Sequence, residues 1–240
     1  MGNGLEDGHG GGSDHASGDV SGKAAKTALR RSLLAARAAS DPALRAADDA
    51  RLAARVVEWV MEWFEEWGAA GESPPPIVTI AAHVPVDIEP GATSLTPDQL
   101  LDALADVEGM PPVRLLLPVC PPGPPAALQW AEYSGGTDGS VVRGTLAPGK
   151  YGLPEPAGPR LGPETLAEAD VIIVPGVAAD RSGMRMGRGA GYYDRSLAHA
   201  TGRVAAILHP NEVVDDVPHD AHDLPVHAVI TADESIVPGA

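Results

Sequence analysis

Val171-Ile172-Ile173-Val174-Pro175-Gly176, with Arg185-Met186-Gly187-Arg188-Gly189-Ala190-Gly191-Tyr192-Tyr193-Asp194 following it, joins an apolar strand to a glycine-rich loop and then to a helix that should begin near Tyr192. Four consecutive branched apolar residues read as a strand buried on both faces, as in the middle of a parallel sheet. The same signal recurs at residues 77–81, 115–119, 203–208 and 226–231, and more weakly, as an alternating pattern, at 128–133. Helical patterns fall between several of these runs. Strands alternating with helices predict an α/β fold, a mainly parallel sheet flanked by helices, whose ligand crevice lies beyond the C-terminal ends of the strands. The loop after Val174 leaves from such an end.

The helices carry their own punctuation. Residues 23–39 are strong helix formers. Ser40-Asp41-Pro42 then supplies a break, an N-cap and a proline at the first position of a second helix, running to about Trp67. Within it Val56, Val60, Trp63 and Trp67 recur at helical spacing with Trp59 on the same side. Such a stripe reads as packing rather than as a ligand box, given the area that tryptophans bury. Thr96-Pro97-Asp98-Gln99 is a capping box that opens a further helix to about Ala105. Between Pro118 and Pro163 proline and glycine are dense, which predicts ordered loop or small sheet, and a short helix is expected from Pro163.

Composition bounds the function. The 240 residues are 44% apolar, enough for one domain with a real core, and the formal net charge is −16. A general binder of nucleic acid or of anionic membranes needs clustered lysine and arginine, so neither partner is expected. The one cysteine, Cys120, allows no internal disulfide framework and no cysteine-rich zinc module. There is no run of 18 apolar residues, and the first 22 residues hold eight glycines and no secretion-type apolar run. The expectation is a cytoplasmic protein, with residues 1–22 a disordered tail and 23–240 a single domain.

Within this acidic chain the loop reverses sign. Arg181, Arg185, Arg188 and Arg195 stand against one carboxylate, Asp194. Gly187, Gly189 and Gly191 permit positive φ and close approach, so that successive N–H groups can face phosphate oxygens. The helix that follows would add its positive end, Tyr192 and Tyr193 would line a base or ring, and Asp194 would hold a metal bridging the phosphates. The loop is neither a Walker A sequence nor a Rossmann fingerprint. A solvated surface turn is the other reading that composition allows. A second cluster, His219-Asp220-Ala221-His222-Asp223, could with His209 and His227 be read as a zinc site, although histidine–acid runs are more often solvated loops.

Residues 171–180 together with 185–197 resemble the signature of the 5-formyltetrahydrofolate cyclo-ligase family, also called 5,10-methenyltetrahydrofolate synthetase. Lys26-Thr27-Ala28-Leu29-Arg30 is similar to that family's Lys-x-x-x-Arg, Glu89-Pro90-Gly91 stands at its substrate-binding glutamate, and Glu155-Pro156 matches its Glu-Pro element. The resemblance covers roughly residues 23–231. It implies an α/β sandwich similar to ribose-phosphate isomerase and CoA-transferase domains. The implied activity is ATP-driven closure of 5-formyltetrahydrofolate to 5,10-methenyltetrahydrofolate with release of ADP and phosphate.

Carried over by position, the resemblance assigns Lys26 and Arg30 to the ATP phosphates. Arg185, Met186, Gly187, Arg188, Gly189, Ala190, Gly191, Tyr192 and Tyr193 would cradle ATP, with Lys26 and Arg188 as the catalytic cations. Arg30, Glu89, Arg188, Gly189, Ala190, Gly191 and Tyr192 would contact the folate, Glu89 anchoring the pterin. Asp194 and Asp223 would bind Mg²⁺. His227 stands where the family often has aspartate, and Asn211-Glu212 where it often has glutamine. The rival functions are a sugar-phosphate isomerase or CoA-transferase-like enzyme, which would not couple turnover to ATP hydrolysis, and a non-catalytic nucleotide or folate sensor.

Overall fold

The computed structural model describes residues 14–69, 75–135, 142–220 and 223–239. The chain begins with helices α1 (Asp14–Ala39) and α2 (Pro42–Ala69), then runs through β1 (Val78–Ala82), α3 (Pro97–Ala105), β2 (Val113–Val119), β3 (Gln129–Gly135) and β4 (Val142–Arg143). β5 (Leu146–Pro148) and β6 (Pro154–Pro156) form a hairpin. β7 (Val171–Pro175), β8 (Ala178–Asp180), β9 (Arg185–Met186), α4 (Tyr192–Ser196), β10 (Arg203–Ile207), β11 (Val213–Val214), β12 (Ala228–Ile230) and β13 (Ser235–Ile236) complete it.

The main sheet has the order β13-β12-β10-β7-β1-β2-β3-β4. Its five inner strands, β12 to β2, pair in parallel, and the edges are closed by antiparallel neighbours. This is the expected α/β architecture. Alternation sorts the strand residues onto two cores. Ile80, Leu115, Ile173, Ile207 and Ile230 face α2 and α3, while Ala81, Leu116, Ile172, Ala206 and Val229 face Trp130, Leu166 and Leu197 on the other side. The predicted tryptophan stripe is packing: Val56, Trp59 and Val60 are buried in the first core, with Trp63 partly buried against it. Asp41 Oδ1 accepts the Ala43 N–H at 2.7 Å, and Thr96 and Gln99 close the capping box that opens α3.

Several boundaries differ from the sequence reading. The tail expected over residues 1–22 lies outside the described residues up to residue 13; from Asp14 the backbone is helical, because extending an existing helix needs no new nucleus. The connector at 71–76 falls largely outside the described residues. The helix from Pro163 is a 3₁₀ segment, Pro163–Glu168. The helix from Tyr192 is five residues long and continues as the 3₁₀ turn Leu197–His199, so it contributes one turn of free N–H groups rather than a long dipole. Among the described residues no helix is long and apolar enough to cross a membrane.

The bottom of the parallel sheet is stitched by Asp170, whose Oδ2 accepts the Thr79 N–H at 2.8 Å and whose carbonyl accepts the Arg203 N–H at 2.9 Å. Gly202 presses against this junction: a Cβ there would lie 2.2 Å from the Ala169 carbonyl oxygen and 2.4 Å from that of Asp170. Backbone cannot swing aside as a side chain can. Gly202→Ala is therefore expected to destabilise by about 2 kcal/mol or more, read as a lowered midpoint in urea unfolding; an unchanged midpoint would mean that the junction is plastic.

Candidate active site

Along the chain, β1 leads to β2 on one side of the sheet, and β7 leads to β10 and β12 on the other. The strand order therefore reverses between β1 and β7, where an open parallel sheet leaves a crevice beyond its strand C-termini. A cavity of about 420 Å³ lies there. The end of β1 contributes His83, Val84, Val86, Asp87 and Glu89, the end of β2 contributes Pro118 and Cys120, the end of β7 contributes Pro175 and Gly176, and the loop supplies Arg185 and residues 187–194. The β5–β6 hairpin adds Tyr151, Leu153 and Glu155 to its wall.

The loop is held by two carboxylates, Asp180 beneath it and Asp194 on the cavity wall. Asp180 is buried and accepts N–H groups from Ser182 (2.9 Å), Met184 (3.2 Å) and Val217 (2.9 Å) together with the Ser182 hydroxyl. Burial opposes its ionisation, but these donors outweigh burial and hold its pKa below the usual carboxylate value. Asp194, on the cavity wall, pairs with Arg185, whose guanidinium also donates to the Pro175 carbonyl at 3.1 Å and lies over the Tyr193 ring. Of the three loop glycines expected to take positive φ, Gly189 (101°) and Gly191 (72°) do so and Gly187 does not. At Gly189 a Cβ would also stand 3.2 Å from the Arg30 guanidinium carbon.

Helix α1 brings in the second set of cations. Lys26, Arg30, Leu33 and Arg37 recur at i, i+4, i+7 and i+11 and so share one face. Leu29, Leu33 and Leu34 pack on Val177, Ala178 and Met186, which fixes that face against the loop. Arg30 Nε donates to the Gly187 carbonyl at 2.9 Å, reaching the loop from outside the cavity lining. Lys26 Nζ sits 2.9 Å from Asp220 and 3.3 Å from Asp223. Although partial burial works the other way, these two carboxylates raise the ammonium's pKa above its ordinary value. Arg188 lies 2.7 Å from Glu89, a largely buried carboxylate whose other oxygen accepts the Val86 N–H at 3.0 Å. Each acidic residue assigned to metal or substrate is thus paired with a cation assigned to phosphate.

Met186 is buried under the loop, and Ala190, Tyr192 and Tyr193 line the cavity. Asp194 is on the cavity wall, whereas Asp223 and Lys26 are together outside it. Two of the four arginines face elsewhere: Arg181 pairs with Glu234, and Arg195 caps the Ala190 and Gly191 carbonyls. Glu155 is a staple, its Oε1 accepting from Cys120 N (3.0 Å) and thereby joining the hairpin to the end of β2. Glu212 turns away from the cavity and forms a buried pair with Arg37, at 2.7 Å. His227 Nδ1 accepts the Val204 N–H, His209 Nε2 donates to the Ile88 carbonyl and His219 Nδ1 to that of Val217. His222 lies outside the described residues. Among the described residues no three His, Cys, Asp or Glu side chains gather as a metal site, so the zinc reading finds no donor set. Mg²⁺ is held by one or two carboxylates plus phosphates and water, and the donor chemistry of Asp194 and Asp223 fits that mode.

Sequence reasoning missed His83, Lys150, Tyr151 and Asp49. Lys150 Nζ donates to the carbonyls of Pro121 and Gly123 and to the Tyr192 hydroxyl at 3.0 Å, and it lies over the rings of Tyr151 and Tyr192. Asp49, buried in α2, accepts the N–H groups of Gly91 and Thr93 and so positions the turn that carries Glu89. For His83 a signal existed, since it is the first residue beyond the apolar strand β1, at the end where ligands bind. Nothing local marks the other three.

A family model described as "5-formyltetrahydrofolate cyclo-ligase family" matches residues 22–232. The chain is 43% identical over 164 residues to the 5-formyltetrahydrofolate cyclo-ligase of Mycolicibacterium smegmatis, covering 66% of this chain and 76% of that one. With the Saccharomyces cerevisiae 5-formyltetrahydrofolate cyclo-ligase it shares 34% over 104 residues, 40% of this chain and 48% of the yeast protein. Among solved structures, the 5,10-methenyltetrahydrofolate synthetase of Aquifex aeolicus superposes with a TM-score of 0.61 at 26% identity, covering 90% of this chain and 93% of the other. The Mycoplasma pneumoniae synthetase, at 20% identity and a TM-score of 0.56 over 86% and 98%, is alike in fold.

Proposed function

The chain belongs to the 5-formyltetrahydrofolate cyclo-ligase family, and from that premise we propose that this enzyme closes 5-formyltetrahydrofolate to 5,10-methenyltetrahydrofolate at the expense of ATP, with Mg²⁺, releasing ADP and phosphate. The observation that carries the reading is the convergence of Glu89 and the Arg185–Asp194 loop, far apart in sequence, on one cavity at the switch point of the sheet, with Arg188 bound to Glu89 at 2.7 Å.

The formyl oxygen on N5 is amide-like and a poor leaving group. In the proposed reaction the γ-phosphoryl group passes to that oxygen; N10 then attacks the formyl carbon and loses its proton, and the carbon–oxygen bond breaks as phosphate leaves. Little covalent chemistry falls to the protein, whose part is positioning and charge. Glu89 holds the amino edge of the pterin. Arg185 and Arg188 face the phosphates from the cavity wall, and Lys26 and Arg30 from α1. The backbone at Gly189 and Gly191 allows close approach, and Tyr192 and Tyr193 line the ring. Asp194 and Asp223 would hold Mg²⁺, which would offset the negative charge of the phosphates. Ligand arrival would free these groups from their present partners.

The test mixes purified protein with 5-formyltetrahydrofolate, ATP and Mg²⁺ and follows the absorbance of the methenyl product, omitting each component in turn. Product formation that needs all three is the expected result. Retained folate or ATP binding without product would make the protein a sensor instead.

A further inference from the structure

Among the described residues, three side chains carry buried polar atoms without a hydrogen-bond partner: His83 at both ring nitrogens, Tyr193 at its hydroxyl and Trp130 at its indole nitrogen. His83 and Tyr193 line the cavity, and Trp130 does not. An unpaired buried polar group costs roughly 1–3 kcal/mol, so a fold that leaves two of them on one cavity wall retains them against its own stability. His83 is only 7% exposed and stands at the C-terminal end of β1, with its backbone N–H already given to the Ile173 carbonyl at 3.2 Å. Behind the ring is a void of about 10 Å³ walled by apolar side chains such as Leu95, Leu100 and Ile207. A water there would need two or more polar partners, and those walls offer its ring nitrogens no side-chain partner.

His83 and Glu89 lead out of the same strand and line one cavity with Tyr193, where Arg188 pairs with Glu89 and Arg185 lies over the Tyr193 ring. Burial pushes the His83 imidazole pKa down, against the opposing pull of Glu89 and the Ile173 backbone, and so favours the neutral ring. A neutral imidazole offers one donor and one acceptor. A reduced pterin presents both at its edge, as ring N–H, ring nitrogen, and lactam and formyl oxygens.

We propose that His83 is a folate-contacting residue, whose imidazole hydrogen-bonds the pterin head at the inner end of the cavity beside Glu89 and orients it. This rests on the cavity being a folate site. The test uses the full chain with His83→Phe, His83→Leu and His83→Asn. Binding of 5-formyltetrahydrofolate without ATP, binding of ATP without folate, and thermal melting are each measured. His83→Phe and His83→Leu are expected to weaken folate binding tenfold or more, to leave ATP affinity within twofold, and to melt no lower than the wild type, because they remove unpaired nitrogens from the free protein. His83→Asn, which keeps a donor and an acceptor, should recover part of the folate affinity. Folate affinity within twofold of wild type in either apolar variant overturns the proposal, as does an asparagine variant no better than leucine. A wild-type protein that binds no 5-formyltetrahydrofolate would instead defeat the functional reading itself.

Discussion

Arg188→Ala is expected to lower kcat/KM by about 100-fold, the scale on which removal of one preorganised group facing developing charge acts. Arg188 is half exposed, yet it joins two parts of the cavity wall, touching Glu89 beyond β1 while its backbone belongs to the glycine-rich loop. Loss of the guanidinium would remove a cation from the transferring phosphoryl group and leave the buried Glu89 carboxylate without its partner before substrate arrives. Arg188→Lys keeps the charge but not the planar fork, so its activity should fall between the two. Steady-state kinetics in both substrates would separate the effects, because a purely binding role raises KM while leaving kcat in place. Turnover of Arg188→Ala within threefold of wild type would remove the residue from the catalytic machinery.

Glu212→Ala should produce the largest loss of stability, about 3–5 kcal/mol, as expected when one member of a buried ion pair is left alone. Both side chains are about 1% exposed, and the pair is two-pronged, Arg37 donating through Nε at 2.7 Å and Nη2 at 2.8 Å. The network reaches further. Arg37 also donates to the Gly176 carbonyl on the cavity wall, Glu212 accepts the His209 N–H, and His209 holds the Ile88 carbonyl next to Glu89. One pair therefore fixes α1, the end of β7 and the Glu89 turn relative to one another. Urea unfolding provides the measurement. Replacing both partners, as in Arg37→Met with Glu212→Leu, should recover much of the stability lost in either single variant, because no buried charge then stands alone. A Glu212→Ala midpoint equal to wild type would mean that the pair carries no such load.

Local pattern was enough to read the strands β1, β2, β7, β10 and β12 to within two residues at each end, because strands buried on both faces leave uninterrupted apolar runs. The caps at Asp41 and Thr96 were legible for a similar reason, since capping is a contact between residues two or three apart. The loop's role as a cavity wall was legible from its glycines and charge. Which of its arginines face inward was not, because the course of the backbone after β8 decides it: Arg181 is turned to Glu234 and Arg195 back onto the Gly191 carbonyl.

Pairings between distant segments are of a different kind. Nothing near Arg37 foretells Glu212, nothing near Asp49 foretells the Gly91 turn, and His83 gains meaning only when the ends of β1 and β7 and the loop are brought together. The sequence by itself determined the α/β class, the five inner strands, two caps and the place of the glycine-rich loop beyond a strand's C-terminal end, because those depend on period, propensity and spacing within a few residues. Only the tertiary structure decided which carboxylate meets which cation and which imidazole is left without a partner in the cavity wall, because charge and hydrogen-bond partners are chosen by distance in space, which the order of residues along the chain does not encode.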